Sequence, residues 1–190
     1  MNSAKYAVAG LAAMLLVQPA SAQTLGSEDF VAAVRDRDGD KAMEILRAKG
    51  SLALNARDGN GDTGLTVAIA RRDDVWTGFL LSHGADPNRP GRNGDTPLIA
   101  AARVGFLGAA SSLILKRVKI DAANRMGETA LIVAVHGRHV PLVKLLLDHG
   151  ANPDEADSAA GYSARDYARR DTRSREILKL IEAKKPQPKG

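Results

Sequence analysis

The chain has no cysteine, which excludes disulfides, thiolate nucleophiles, zinc fingers and thiol redox chemistry. Aromatic residues are scarce, at 4%, so there is little with which to stack nucleic-acid bases. The longest apolar stretch, the twelve residues from Tyr6 to Val17, is short of the roughly 20 that a membrane-spanning helix needs. No Gly-x-Ser-x-Gly, phosphate loop or His-Glu-x-x-His occurs. These absences remove the commonest catalytic and nucleic-acid-binding frameworks before any positive feature is considered.

The amino terminus reads as a secretory signal peptide. Lys5 supplies the positive charge, Tyr6 to Val17 the apolar stretch, Pro19 a helix break, and Ala20-Ser-Ala22 a small-residue cleavage site before Gln23. No twin arginine precedes the apolar stretch, which points to the general export route. The expected mature chain is Gln23–Gly190, placed in a bacterial periplasm, with one domain over 23–183 and a disordered basic tail over 184–190. That tail, Lys184-Lys-Pro-Gln-Pro-Lys-Gly190, holds much of the +5 formal charge. Its composition suits a solvated segment with at most a weak attraction to anionic surfaces.

Between these ends the chain repeats. Gly61-Asp-Thr-Gly-Leu65, Gly94-Asp-Thr-Pro-Leu98 and Gly127-Glu-Thr-Ala-Leu131 place Thr63, Thr96 and Thr129 at intervals of 33 residues. Leu80-Leu-Ser-His-Gly-Ala-Asp-Pro-Asn88 recurs as Leu146-Leu-Asp-His-Gly-Ala-Asn-Pro-Asp154 two periods later. The threonines suit helix N-caps, and Pro97 suits the first helical position. Leu65 and Ala68, Leu98 and Ala101, and Leu131 and Ala134 share a helix face at i, i+3. Gly84 and Gly150 sit where a leucine-rich helix should end in a left-handed residue.

This period and these motifs resemble the ankyrin repeat over roughly Glu28 to Glu182. The resemblance implies an all-α solenoid of helix-turn-helix units with β-turn fingers, about five repeats including caps. The unit from Phe30 to Asn55 is similar to an amino-terminal cap. Gly161-Tyr-Ser-Ala-Arg-Asp-Tyr-Ala168 with Ile177 to Ile181 forms the last unit. There Arg165 replaces the core leucine, as expected of a face with no following repeat. Two departures stand out. The family's helix-1 histidine is replaced by Thr66, Ile99 and Ile132, so that layer is either apolar or rebuilt. Arg117 occupies the position of Gly84 and Gly150, and because an arginine forced left-handed costs about 1–2 kcal/mol, a different turn is expected there.

In such arrays the usual binding surface is the concave one, made of finger tips and the open side of each first helix. By position this implies a partner-binding set of Asn60, Arg71, Arg92, Asn93, Arg103, Arg125, Met126, His136, Tyr162 and Arg170. Arg92, Arg103 and Arg125 would form a basic row across adjacent units, unless Arg92 and Arg125 pair with Asp95 and Glu128 in their own fingers. His83 and His149 hold equivalent positions two repeats apart, too distant to share an ion, and read as turn residues. His136 and His139 are close enough in sequence to share one, but no supporting carboxylate is evident. Asp58-Gly59 suits a finger turn better than calcium.

The expectation is a non-enzymatic, monomeric, exported protein that binds a protein partner, without nucleic acid, cofactor or stable membrane insertion. It would act as adaptor or modulator of a periplasmic protein, or as an immunity-type protein masking a toxic effector. A co-transcribed housekeeping or stress enzyme would favour the first, and a neighbouring toxin-like reading frame the second. A metal-binding or enzymatic helical protein is the third alternative.

Overall fold

A computed structural model describes residues 26–184; the expected leader, 1–22, and the tail beyond Lys184 lie outside them. Among the described residues eleven α-helices follow one another. They are α1 Ser27–Asp36, α2 Gly39–Lys49, α3 Ser51–Leu54, α4 Gly64–Ala70, α5 Asp74–Ser82, α6 Pro97–Val104, α7 Leu107–Leu115, α8 Ala130–His136, α9 Val140–Asp148, α10 Ala164–Arg170 and α11 Arg175–Glu182. The fold is the all-α repeat solenoid that the 33-residue period implies. Helices α1, α4, α6, α8 and α10 stack as one layer, and α5, α7, α9 and α11 as a second. The short α3, packed on α1 and α2, is an addition that the repeat pattern does not foreshadow.

Each first helix starts for the reason its sequence suggests. Thr63, Thr96 and Thr129 accept the backbone N–H three residues on, and Ser163 does the same in the last unit. Such a cap is worth ~1 kcal/mol. Pro97 occupies the first turn of α6. Behind the caps Leu65, Leu98 and Leu131 are buried with Ala68, Ala101 and Ala134, so alternating large and small side chains let adjacent helices approach. The substituted histidine position takes both expected forms. Ile99 and Ile132 are wholly buried in an apolar layer, whereas the Thr66 hydroxyl closes a capping box by accepting from the Thr63 N–H and donating to the Thr63 carbonyl.

Between units, a periodic side chain ties neighbouring turns together. Asn55, Asn88 and Asp121, spaced 33 apart, accept the backbone N–H of Asp86, Lys119 and Asn152 at 2.8, 2.9 and 2.9 Å. Burial at this joint raises the Asp121 pKa above the ordinary carboxylate value, against the lowering effect of the Asn152 N–H. The fingers are held similarly. One Asp58 oxygen accepts from Asn60 and Asp62, the Asn124 oxygen from Met126 and Glu128, and one Asp157 oxygen from Ala159, Ala160 and Gly161.

Three details correct the sequence reading. Gly84 and Gly150 are left-handed as expected, at φ 92° and 90°, but so is Arg117, at φ 56°; its turn matches theirs, and the strain is simply borne. Arg165 is not left facing the open end of the stack. It is 6% exposed, pairs with Asp154 at 2.6 Å and donates to the carbonyls of Ile181 and Lys184 at 3.0 and 3.2 Å. The leucine's place is thus taken by a side chain that adds hydrogen bonds to carbonyls at and just beyond the end of α11, where the Ile181 carbonyl also accepts from the Lys184 N–H. Lys184 is accordingly part of the packed chain, with its Nζ 3.7 Å from Asp148, so the folded region runs one residue further than composition suggests.

Candidate protein-binding face

Among the described residues, two clefts lie between the finger tips and the open sides of the first helices, and a third opens where α8 and α10 run into the turns that follow them. One, of about 430 Å³, is lined by Arg35, Asn60, Asp62, Thr66, Ala70, Arg71 and Arg92 among others. The next, of about 360 Å³, shares Asp62, Thr66, Ala70 and Arg92 and adds Asn93, Asp95 and Arg103. The third, of about 380 Å³, is lined by Val135, His136, Arg138, Tyr167, Arg170, Asp171 and Arg173. Of the sequence-predicted residues, Asn60, Arg71, Arg92, Asn93, Arg103, His136 and Arg170 therefore line clefts on one side of the stack. Arg125 and Met126 are exposed on the fourth finger, and Tyr162 lies under the Arg170 guanidinium, 3.9 Å from ring centroid to Cζ.

The arginines do not form a free basic row. Arg92 pairs with Asp62 of the preceding finger at 3.0 Å. Arg103 pairs with Asp95 at 2.8 Å and approaches Glu128 of the next finger at 3.6 Å. Neither the row nor pairing within single fingers describes this arrangement: Asp62 and Glu128 reach arginines across a repeat joint, and Asp95 pairs with Arg103 on the first helix of its own unit. Only Arg125 of the three makes no ion pair among the described residues; its backbone N–H donates to Asn93 at 3.1 Å. Asn124 joins the network by donating to both Asp95, at 2.7 Å, and Glu128, at 2.9 Å. Arg35 pairs with Asp58, and Arg71 donates to the Arg35 carbonyl. Although burial alone would raise it, the Asp58 pKa is held below the usual carboxylate range by Arg35 and by the N–H groups of Asp62 and Asn60.

At the fourth and fifth units the face becomes aromatic. The His136 ring meets Tyr167 edge-on at 4.2 Å, and Tyr167 meets Tyr162 at 5.6 Å. The Tyr167 hydroxyl donates to Asp157 at 2.5 Å. This bond, with burial added, pushes its pKa up to about 12. His136 and His139 are sent to different neighbourhoods: His136 stands on Tyr167, 4.0 Å from Glu128, while the His139 ring fills the space where side chains at Gly105 and Gly137 would be. His83 and His149 each place Nδ1 against the carbonyl four residues back, at 2.8 and 2.9 Å, as turn residues.

Sequence position did not single out Arg35, Arg138, Tyr167, Asp171 or Arg173. Arg138 and Asp171 are 33 apart, so the repeat spacing itself carried a signal for that pair.

The stacked units, their threonine caps and their finger turns match what the family models contain. A model of ankyrin repeats in three copies matches residues 76–157 and 106–187, together more than half of the chain. The chain belongs to the ankyrin-repeat family. It is 32% identical over 143 residues to an ankyrin repeat-containing protein of Treponema pallidum (strain Nichols), covering 75% of this chain and 47% of that protein. It is 31% identical over 132 residues to the E3 ubiquitin-protein ligase XBAT33 of Arabidopsis thaliana, covering 69% of this chain and 26% of that one. Neurogenic locus notch homolog protein 1 of Mus musculus is 32% identical over 123 residues, 64% of this chain and 5% of that protein. This ankyrin array spans less than half the length of these relatives. What is common to them is the repeat module, which typically mediates protein–protein interaction. Among the described residues of the array, no helix is long and apolar enough to cross a membrane.

Proposed function

We propose that this ankyrin protein is a non-enzymatic interaction protein that binds a protein partner on the face lined by its fingers and first helices. The observation that carries this is the run of clefts along that face, in which polar, arginine and aromatic side chains from successive units converge while the opposite sides of α4, α6, α8 and α10 are committed to the stack. Arginine and tyrosine are residue types enriched in binding hot spots. Ion pairs already made across the joints hold these side chains in place before a partner arrives, which reduces the ordering cost of binding.

Export belongs to the same proposal. Its support is the charged, apolar and Ala-Ser-Ala sequence of residues 1–22, and the absence of cysteine suits an oxidising compartment. We place the working protein in the periplasm, as an adaptor or modulator of a protein there.

A photo-crosslinking amino acid tests the binding face. Introduced singly at Asn60, Asn93, Met126 and Tyr162, and for comparison at exposed Val75, Leu115 and Lys179, it should trap one periplasmic protein from the first four positions and not from the last three. Crosslinks confined to the second set would move the interface to the outer helices. Recovery of the protein with Met1 intact from the cytosol would overturn the export proposal.

A further inference from the structure

The three clefts differ in how their arginines are balanced. In the first, Arg35 and Arg92 each face a carboxylate, Asp58 and Asp62, and Arg71 is engaged on a carbonyl. In the second, Arg92 and Arg103 are matched by Asp62 and Asp95. The third holds three arginines and one carboxylate. Asp171 accepts from Arg138 at 2.6 Å and from Arg173 at 3.4 Å, so two guanidinium groups share one anion. Arg170 lies over the Tyr162 ring and makes no ion pair among the described residues. The other anions nearby are hydrogen-bonded elsewhere, Asp157 to the Tyr167 hydroxyl, Glu128 to Asn124 and Arg103, and Asp166 to the Ser163 cap; Asp166 attracts Arg169 and Arg170 without closing an ion pair with either.

We infer that this cleft, at the joint of the fourth and fifth units, is an anchor for an acidic side chain of the partner polypeptide. The inference rests on the proposed binding face and names the chemistry that this part of it recognises. A planar guanidinium presents paired donors that match the two oxygens of a carboxylate. Arg170 and Arg173 supply such donors, while Val135 and the edges of His136 and Tyr167 form a wall for the methylenes or ring of an adjoining residue. Phosphate fits less well, because Asp171 stays in the cleft and a dianion beside it meets greater like-charge repulsion than a single carboxylate does. Arg173 is 75% exposed, so it can reorient toward an incoming anion without unpacking the fold.

The test is an NMR titration of the folded protein with three probes: the peptide acetyl-Tyr-Glu-Glu-amide, its glutamine counterpart acetyl-Tyr-Gln-Gln-amide, and inorganic phosphate. The glutamate peptide should shift the amides of residues 135–139 and 167–175. The glutamine peptide should not, and phosphate should act more weakly. Arg170→Gln combined with Arg173→Gln should reduce the glutamate peptide's affinity roughly tenfold, with the amide spectrum of α6 unchanged as evidence of an intact fold. Equal shifts with the glutamine peptide, stronger shifts with phosphate, or no shift at the cleft would each overturn the acidic anchor. Its failure is distinct from failure of the binding face: crosslinks at Asn60 and Asn93 with a silent third cleft would remove the anchor alone, whereas a glutamate-specific cleft without crosslinks on that face would remove the face as the partner's site.

Discussion

Tyr167 and Asp157 illustrate how a single hydrogen bond on this face becomes a pH-dependent contribution to stability. Tyr167 ionises near 12 when folded instead of near the ordinary 10.0. A folded-state pKa raised above the unfolded one stabilises the protein fully below pH 10, and the contribution is lost as pH rises through about 12. Tyr167→Phe should therefore cost stability at pH 8 and progressively less between pH 10 and 12, as followed by urea unfolding. Asp157→Asn should bring the phenolate absorbance of Tyr167 to lower pH. If the cost of Tyr167→Phe were the same at both pH values, the carboxylate would not be holding the phenol. Arg165 supports a second residue-scale expectation. It is nearly buried, paired with Asp154 and bonded to two carbonyls at the end of α11. Arg165→Ala removes that ion pair and both carbonyl bonds from a nearly buried site and should lower the urea-derived stability by roughly 1.5–3 kcal/mol, the range of hydrogen bonds to charged groups. A loss within about 0.5 kcal/mol, the range of ordinary surface changes, would mean that water replaces the guanidinium at no cost.

The turns joining paired helices show how an element tolerates unfavourable backbone. Just before the second helix of each of the first four units, the left-handed residue is Arg37, Arg72, Gly105 and Arg138. Each arginine there reaches the following unit: Arg37 to Asp73 at 3.0 Å, Arg72 to the Val104 carbonyl at 3.1 Å and over the Phe106 ring, and Arg138 to Asp171. At Gly105 a side chain would run into His139, which takes over that contact. Arg117, left-handed after α7, is exposed and makes no comparable side-chain contact among the described residues. Arg117→Gly should thus raise stability by up to about 1 kcal/mol. Arg72→Gly, which relieves similar strain but forfeits two contacts, should change it by less than about 0.5 kcal/mol. Equal gains at the two sites in urea melts would show that the reach to the next unit contributes nothing. Here the limits of sequence become visible. Thr63, Thr96 and Thr129 declare their caps because capping is local, and Gly84 and Gly150 declare their turns because few other residues tolerate them. The pairing of Arg92 with Asp62 depends on where units come to rest against each other, and that of Arg165 with the end of α11 on how the two helices of the last unit pack. The clefts are legible by position, but their charge balance is not, since it is settled across the joints.

At the scale of the whole molecule, a stack of units is only as cooperative as its nearest-neighbour interfaces, so the weakest internal unit sets where it opens first. That unit is the third. Its second helix, α7, buries Ala109, Ala110 and Leu113, whereas α9 in the fourth buries Leu142, Val143, Leu146 and Leu147. At roughly 1.5–3 kcal/mol for each fully buried leucine or valine, and far less for alanine, the fourth unit gains several kcal/mol more from its outer layer. Gly108 within α7 adds about 0.5–1 kcal/mol of helix cost, and α7 is followed by the strained turn at Arg117. Both flanking units are bound to the third by the Asn88–Lys119 and Asp121–Asn152 ties, so opening it should disturb both neighbours. In native-state hydrogen exchange, amides from Gly108 to Arg117 should exchange faster than those from Leu142 to Leu147, and Arg117→Gly should narrow the gap. If α9 instead exchanged as fast as α7, its larger apolar side chains would not be setting local stability, and opening would have to start from the carboxy-terminal cap. Arg165→Ala would then accelerate exchange along α9, whereas an opening that starts at α7 predicts that this variant speeds α10 and α11 while leaving the ranking of α7 below α9 unchanged.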